Sequence, residues 1–158
     1  MSVFLVIEGR PVGKGRPRFV RATGRTYTPP ETVSFEERVR AAWVSAGRPR
    51  LGDGPLGARI WVAHARPKGH YLVDGGLSAA GLRCPHPIRK PDLDNVAKGL
   101  TDALSGLAYR DDAQFVDVHA RRRWAVPGEI EYVSLEMWAL DGPPRLRELP
   151  RAGRREAA

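Results

Sequence analysis

Two aspartates, Asp92 and Asp94, stand inside "RKPDLDNVAK", residues 89–98, with Lys98 four positions after the second. A further acidic pair, Asp111-Asp112, follows seventeen residues after Asp94. Carboxylates gathered in this way repel one another unless a cation sits between them. Mg²⁺, or Mn²⁺ in its place, suits such oxygen donors, and Mg²⁺ keeps several of its waters in an octahedral shell. The rest of the chain is basic, with a formal net charge of +8 over 158 residues. An acidic metal cluster within a basic protein would let a phosphate approach the metal while arginines hold the flanking backbone. Spacing alone leaves a second reading open, in which Asp94 only caps a helix and Asp112 only begins a turn.

The elements around these residues decide whether they can converge. Asp92 would still be extended, and Asp94 would be the N-cap of a helix running to Leu107. Extended residues two apart point to one side, so both carboxylates could meet at one point. At 100° per residue, Val96, Leu100, Ala103, Leu104 and Leu107 form the apolar stripe of this helix. Asp94, Lys98, Thr101, Asp102 and Ser105 fall on the opposite face. A turn through "AYRDD" would return the chain to the sheet and bring Asp112 to the first two carboxylates, at the mouth of a last hairpin.

The remaining pattern gives strands at residues 3–8, 56–65, 113–124 and 130–138, with a turn at Pro127-Gly128. "TPPE" reads as a capping box, with Thr28 as N-cap, Pro29 at N1 and Glu31 at N3. The helix it opens carries Phe35, Val39, Ala42, Trp43 and Ala46 on one stripe. The order β-α-β-α-β-β predicts an α+β domain over residues 1–140, a mixed four-stranded sheet covered by two helices. Residues 141–158 read as a basic, flexible tail. Residues 66–87 form a long loop rich in Gly and Pro, where His70 and His86 read as ordinary exposed histidines. Between the first strand and the first helix lie Arg10, Lys14, Arg16, Arg18, Arg21 and Arg25 with no acidic residue. This segment reads as a basic loop or irregular hairpin. Lys14, Arg16, Arg18 and Arg21, with Arg89 and Lys90 before the acidic motif, are the candidate phosphate contacts.

Composition narrows the class. The chain is 42% hydrophobic and 28% charged, a globular balance, and its pI near 10.4 favours anionic partners. One cysteine, Cys84, excludes an intramolecular disulfide and suits a reducing cytoplasm. It has no second cysteine with which to form a zinc site. Residues 1–7 are apolar but too short, and without basic residues, for a signal peptide. No apolar run approaches a membrane span, so no membrane partner is expected.

The motifs "KPDLDNVAKGLTDAL" and "YRDDAQFVD", with "VGKGRPRF" and "TYTP" upstream, resemble the RusA family of Holliday junction resolvases, in particular its longer members. The likeness covers most of residues 3–138; the loop 69–87 and the tail fall outside it. It implies a homodimeric, Mg²⁺-dependent endonuclease making paired nicks in four-way DNA junctions, leaving 5′-phosphate and 3′-hydroxyl ends. By motif, Asp92, Asp94 and Asp112 would hold the metal and Lys98 would stabilise charge at the phosphate. Asp111 is adjacent but is not expected on the metal. Asp117 also recurs in the pattern, on an open face of its strand. Two alternatives stand beside this reading: a nuclease for flaps or other branched DNA, and a structure-specific DNA-binding protein that does not cut.

Overall fold

The computed structural model describes residues 2–141. The strand β1 (Ser2–Glu8) alternates exposed and buried residues, so Val3, Leu5 and Ile7 face the core. A short hairpin follows, β2 (Arg18–Val20) paired with β3 (Arg25–Tyr27), within the basic segment. Then come α1 (Pro30–Ser45), β4 (Leu56–His64), α2 (Ala79–Arg83), α3 (Leu93–Leu104), β5 (Phe115–Trp124) and β6 (Tyr132–Ala139). The fold is α+β: a mixed four-stranded sheet in the order β1-β6-β4-β5, with helices packed against it. Leu56, Ile60, Val133, Leu135 and Met137 on the sheet meet Phe35 and Val39 of α1 and Val96, Leu100 and Leu104 of α3 in one core. Burying those last three side chains contributes ~6 kcal/mol to holding α3 in place.

Four details differ from the sequence-based reading. The 66–87 loop holds a third helix, the short α2, and a 3₁₀ turn at Lys68–His70. The last two strands do not form a hairpin. A turn closed by Glu129 N–H on Val126 C=O, with Gly128 at φ 84°, carries β6 across β4. There β6 lies antiparallel to both β1 and β4, while β5 pairs only with β4 and runs parallel to it. The helix α1 begins one residue later than "TPPE" suggested. Pro30 forces Pro29 into an extended conformation (ψ 136°), so Pro29 is the N-cap and no side chain caps the helix. The helix α3 ends at Leu104, because Ser105 is extended and Gly106 turns with φ 76°, its N–H reaching Tyr109 C=O. Leu107 therefore lies outside the helix. Asp141 apart, the expected tail lies outside the described residues.

Candidate nuclease site

Asp92, not Asp94, is the N-cap of α3, and its side chain makes no capping hydrogen bond. Asp is a favoured capping residue, so a carboxylate in that position left unspent is available to something else. Asp94 sits inside the first turn, exposed, where the positive end of the helix dipole favours an anion. The approach of the two carboxylates therefore comes from a helix start, not from a shared extended segment. Lys98 is exposed one turn further along the same face.

The segment leading to Asp92 is held by a residue that the sequence did not single out. Arg122, near the end of β5, donates from Nη1 to the carbonyls of Arg89 (2.7 Å) and Pro91 (3.2 Å). Arg38 likewise donates to the carbonyls of Glu8 and Arg10, fixing the exit of β1. Between these segments lies a cleft of about 320 Å³. Arg10, Arg18, Lys90, Asp92 and Glu31 all line it. Two carboxylates beside three cations suit an acidic site that must admit a phosphodiester, and Arg10 joins the candidates through this placement. His64 at the end of β4 is 2% exposed, and its Nε2 lacks a partner among the described residues. Burial, then the charges of Arg89, Arg122 and Arg10, hold its pKa below the ordinary value against the opposing charge of Glu131.

Of the other predicted cations, Arg16, Arg18, Arg21, Arg89 and Lys90 are exposed. Lys14 turns inward. Its Nζ meets Glu36 of α1 at 2.8 Å and Asp102 of α3 at 3.2 Å. Burial alone would lower its pKa, but the two carboxylates outweigh it and hold the ammonium above its ordinary value.

Asp112 is placed elsewhere. It opens a 3₁₀ turn, Asp112–Gln114, whose N-cap is Asp111. The Asp111 carboxylate accepts from Ala113 N–H at 2.8 Å, so it is spent on the turn, while Asp112 is exposed. Gln114 fixes the turn from below. Its Oε1 accepts from the N–H groups of Arg110 (2.8 Å) and Asp111 (3.0 Å). Its Nε2 donates to Gly52 C=O (3.0 Å) and Gly54 C=O (2.8 Å). Tyr109, whose hydroxyl donates to Thr101 C=O, packs edge to face on Phe115. Burial, then the charges of Asp112 and Asp102, push that hydroxyl far above the usual tyrosine range, so it stays a donor.

These contacts place the turn that carries Asp112 against the C-terminal half of α3, at Thr101, while Asp92 and Asp94 stand at the start of that helix. The helix has 12 residues, a length of ~18 Å at ~1.5 Å per residue. Arg122, beside Pro91, lies seven residues along β5 from Phe115, ~23 Å at ~3.3 Å per residue. Among the described residues no three His, Cys, Asp or Glu side chains group as a metal site. Asp92 thus lines the cleft, Asp94 follows it in the first turn of α3, and Asp112 opens the 3₁₀ turn beyond that helix. The oxygen donors themselves fit a hard cation: Asp92, Asp94 and Asp112 are exposed and tied up in no ion pair or capping bond among the described residues. Asp117 lies in register with Gly57, and its carboxylate pairs with His119 at 3.1 Å.

A small α+β domain that sets uncommitted carboxylates at a cation-lined cleft has the layout of a phosphodiester-cleaving protein. The family model of the endodeoxyribonuclease RusA matches residues 8–133. The chain is also 31% identical over 136 residues to the uncharacterized protein YqaN of Bacillus subtilis (strain 168), covering 84% of this chain and 95% of that protein. The chain belongs to the RusA endodeoxyribonuclease family. No helix among the described residues is long and apolar enough to cross a membrane.

Proposed function

We propose that this protein is a Mg²⁺-dependent endonuclease that, as a homodimer in the cytoplasm, resolves four-way DNA junctions by paired nicks during recombination and repair. The observation that carries this reading is Asp92, an N-cap carboxylate that caps nothing, lining one cleft with Arg10, Arg18 and Lys90. The cations seat the backbone on either side of the scissile phosphate. Asp92 and Asp94 supply two oxygen ligands at the start of α3, and Lys98 offers its ammonium to the charge that develops on the phosphate. When bound, Mg²⁺ polarises that phosphate and lowers the pKa of a bound water.

The separation of Asp112 from the other two aspartates supports a composite site. In a two-fold dimer the same surface meets itself reciprocally, so Asp112 of the partner subunit can complete each Asp92–Asp94 pair. Two identical sites then face a near-two-fold substrate, as paired nicking needs. Mn²⁺ would support the same donors.

The test compares synthetic junction, flap and linear duplex at equal concentration, with Mg²⁺ and with chelator. Symmetric paired nicks in the junction alone, abolished by chelator, are expected. Preference for flaps would transfer the assignment to another branched substrate, and binding without cleavage would remove the nuclease reading.

A further inference from the structure

Residues Gly13, Lys14 and Gly15 lie in the crease between α1 and α3, where Gly13 is closely packed and Lys14 and Gly15 are hydrogen-bonded. The N–H of Lys14 donates to Asn95 C=O in α3 at 3.0 Å. The N–H of Gly15 donates to Thr32 Oγ1 in α1 at 3.1 Å, and that threonine is 2% exposed. A side chain would be crowded at Gly13 and would force a shift at Gly15. A Cβ on Gly13 would lie 3.1 Å from Pro91 Cβ and 3.2 Å from Asn95 Cβ, and one on Gly15 would lie 2.9 Å from Pro29 Cγ. Between them the Lys14 side chain bridges Glu36 and Asp102, one carboxylate from each helix. Without the ammonium, those two anions would face each other across the seam, with Arg40, 3.4 Å from Glu36, as the other cation paired to either of them among the described residues. Immediately beyond this stitch the chain enters the hairpin β2–β3, which carries Arg16, Arg18, Arg21 and Arg25 on or beside its strands. The hairpin makes its own two-stranded sheet, separate from the main one. Arg18 of the hairpin lines the cleft, and the stitch stands at the N-terminal base of that hairpin.

We propose that Lys14 is a positioning residue that locks the basic hairpin to the α1–α3 seam, fixing where Arg16 and Arg18 hold the DNA backbone relative to Asp92 and Asp94. It acts through the hairpin and touches no phosphate itself. The DNA part of this proposal rests on the nuclease reading above; the locking part does not.

The experiment uses the full chain with Lys14→Met, Lys14→Arg, Lys14→Met combined with Asp102→Asn, and Arg16→Ala as the contrast. Amide hydrogen exchange of the free protein reads the lock. Lys14→Met should speed exchange in residues 10–27 about tenfold, as expected for losing a charge-assisted hydrogen bond, while β4 and β6 keep wild-type protection. Lys14→Arg should stay near wild type, and Asp102→Asn should restore protection to Lys14→Met by removing the facing anion. The salt dependence of junction binding reads direct contact. Lys14→Met should keep the wild-type slope of log K against log salt, whereas Arg16→Ala should reduce it by ~0.9, one phosphate's worth. Unchanged exchange together with a slope reduced by about one unit would make Lys14 an ordinary phosphate contact and overturn the proposal. If Lys14→Met does not fold, failure of the double variant to regain protection overturns it equally. Wild-type protein that binds no junction, with the exchange pattern as described, would remove the nuclease reading and leave the lock standing.

Discussion

Gln114→Leu removes four hydrogen bonds in one substitution of nearly equal volume. The amide of Gln114 is 8% exposed and joins two N–H groups of the 110–111 segment to two carbonyls at the entrance of β4. Each such bond contributes ~0.5–1.5 kcal/mol net. Some of the freed backbone groups reach water on the exposed side of the turn, so the expected loss is ~3 kcal/mol rather than the full sum. For a chain of this length that lowers Tm by ~6–12 °C. Thermal unfolding followed by circular dichroism checks the number. Gln114→Glu should fall between the two, because a carboxylate still accepts from both N–H groups but faces the carbonyls of Gly52 and Gly54 as a like partial charge. Cleavage by Gln114→Leu should drop at temperatures where the protein remains folded, since the turn that presents Asp112 has lost its tether. A Tm within about 2 °C of wild type would show that Tyr109 and Phe115 packing alone holds the turn, and the reasoning would be wrong.

Four further outcomes are expected. Arg122→Met frees the carbonyls of Arg89 and Pro91, so cleavage should fall about tenfold, a loss of ~1.4 kcal/mol of transition-state positioning, with far-UV spectra unchanged; equal activity would leave Arg122 no role in placing Asp92. Asp94→Asn should abolish cleavage while binding stays equal or tightens, and Lys98→Ala should lose roughly 10²-fold in cleavage with little loss of binding, both read by gel shift and single-turnover kinetics. His64 is held neutral in the fold, with its pKa below the unfolded value. The unfolded chain therefore binds a proton that the native state refuses, and this contribution, present above pH ~6.5, is lost as pH falls. Denaturant unfolding from pH 7.5 to 5 should show a decline of at most ~1.4 kcal/mol per pH unit from this group, flattened in His64→Asn.

Much of this could be read along the chain because it is local. The apolar stripe of α3 and the alternation of β1 are periodic, and the turn at Gly128 has its own residue chemistry. The acidic motifs, too, were legible as types at a spacing. What could not be read depends on partners far away in sequence. The ammonium of Lys14 looks like any cation in a basic run until Glu36 and Asp102 are placed beside it. Arg122 looks like one of three successive arginines in a strand until the carbonyls of Arg89 and Pro91 come within reach. The pairing of β6 between β1 and β4 is a choice among strand orders that alternation does not make. Convergence of Asp112 on Asp92 and Asp94 was expected because the turn through "AYRDD" returns the chain to the sheet surface on which the helix packs. Asp92 and Asp94 stand at the start of a twelve-residue helix, the turn carrying Asp112 reaches that helix at Thr101, and among the described residues no three acidic side chains group as a metal site.

That separation makes the composite site the claim on which the functional account turns, and subunit exchange tests it most directly. Asp94→Asn and Asp112→Asn homodimers should each be inactive on a junction carried in a plasmid. Mixed and allowed to exchange, they form heterodimers in which one site carries both substitutions and the other carries neither. If each site takes Asp92 and Asp94 from one subunit and Asp112 from the other, nicking should return at roughly a quarter of the wild-type site concentration under random exchange. Nicked circles should form without linear product. If all three aspartates act within one chain, both sites of every heterodimer remain damaged, and a mixture as inactive as its parents would contradict the account.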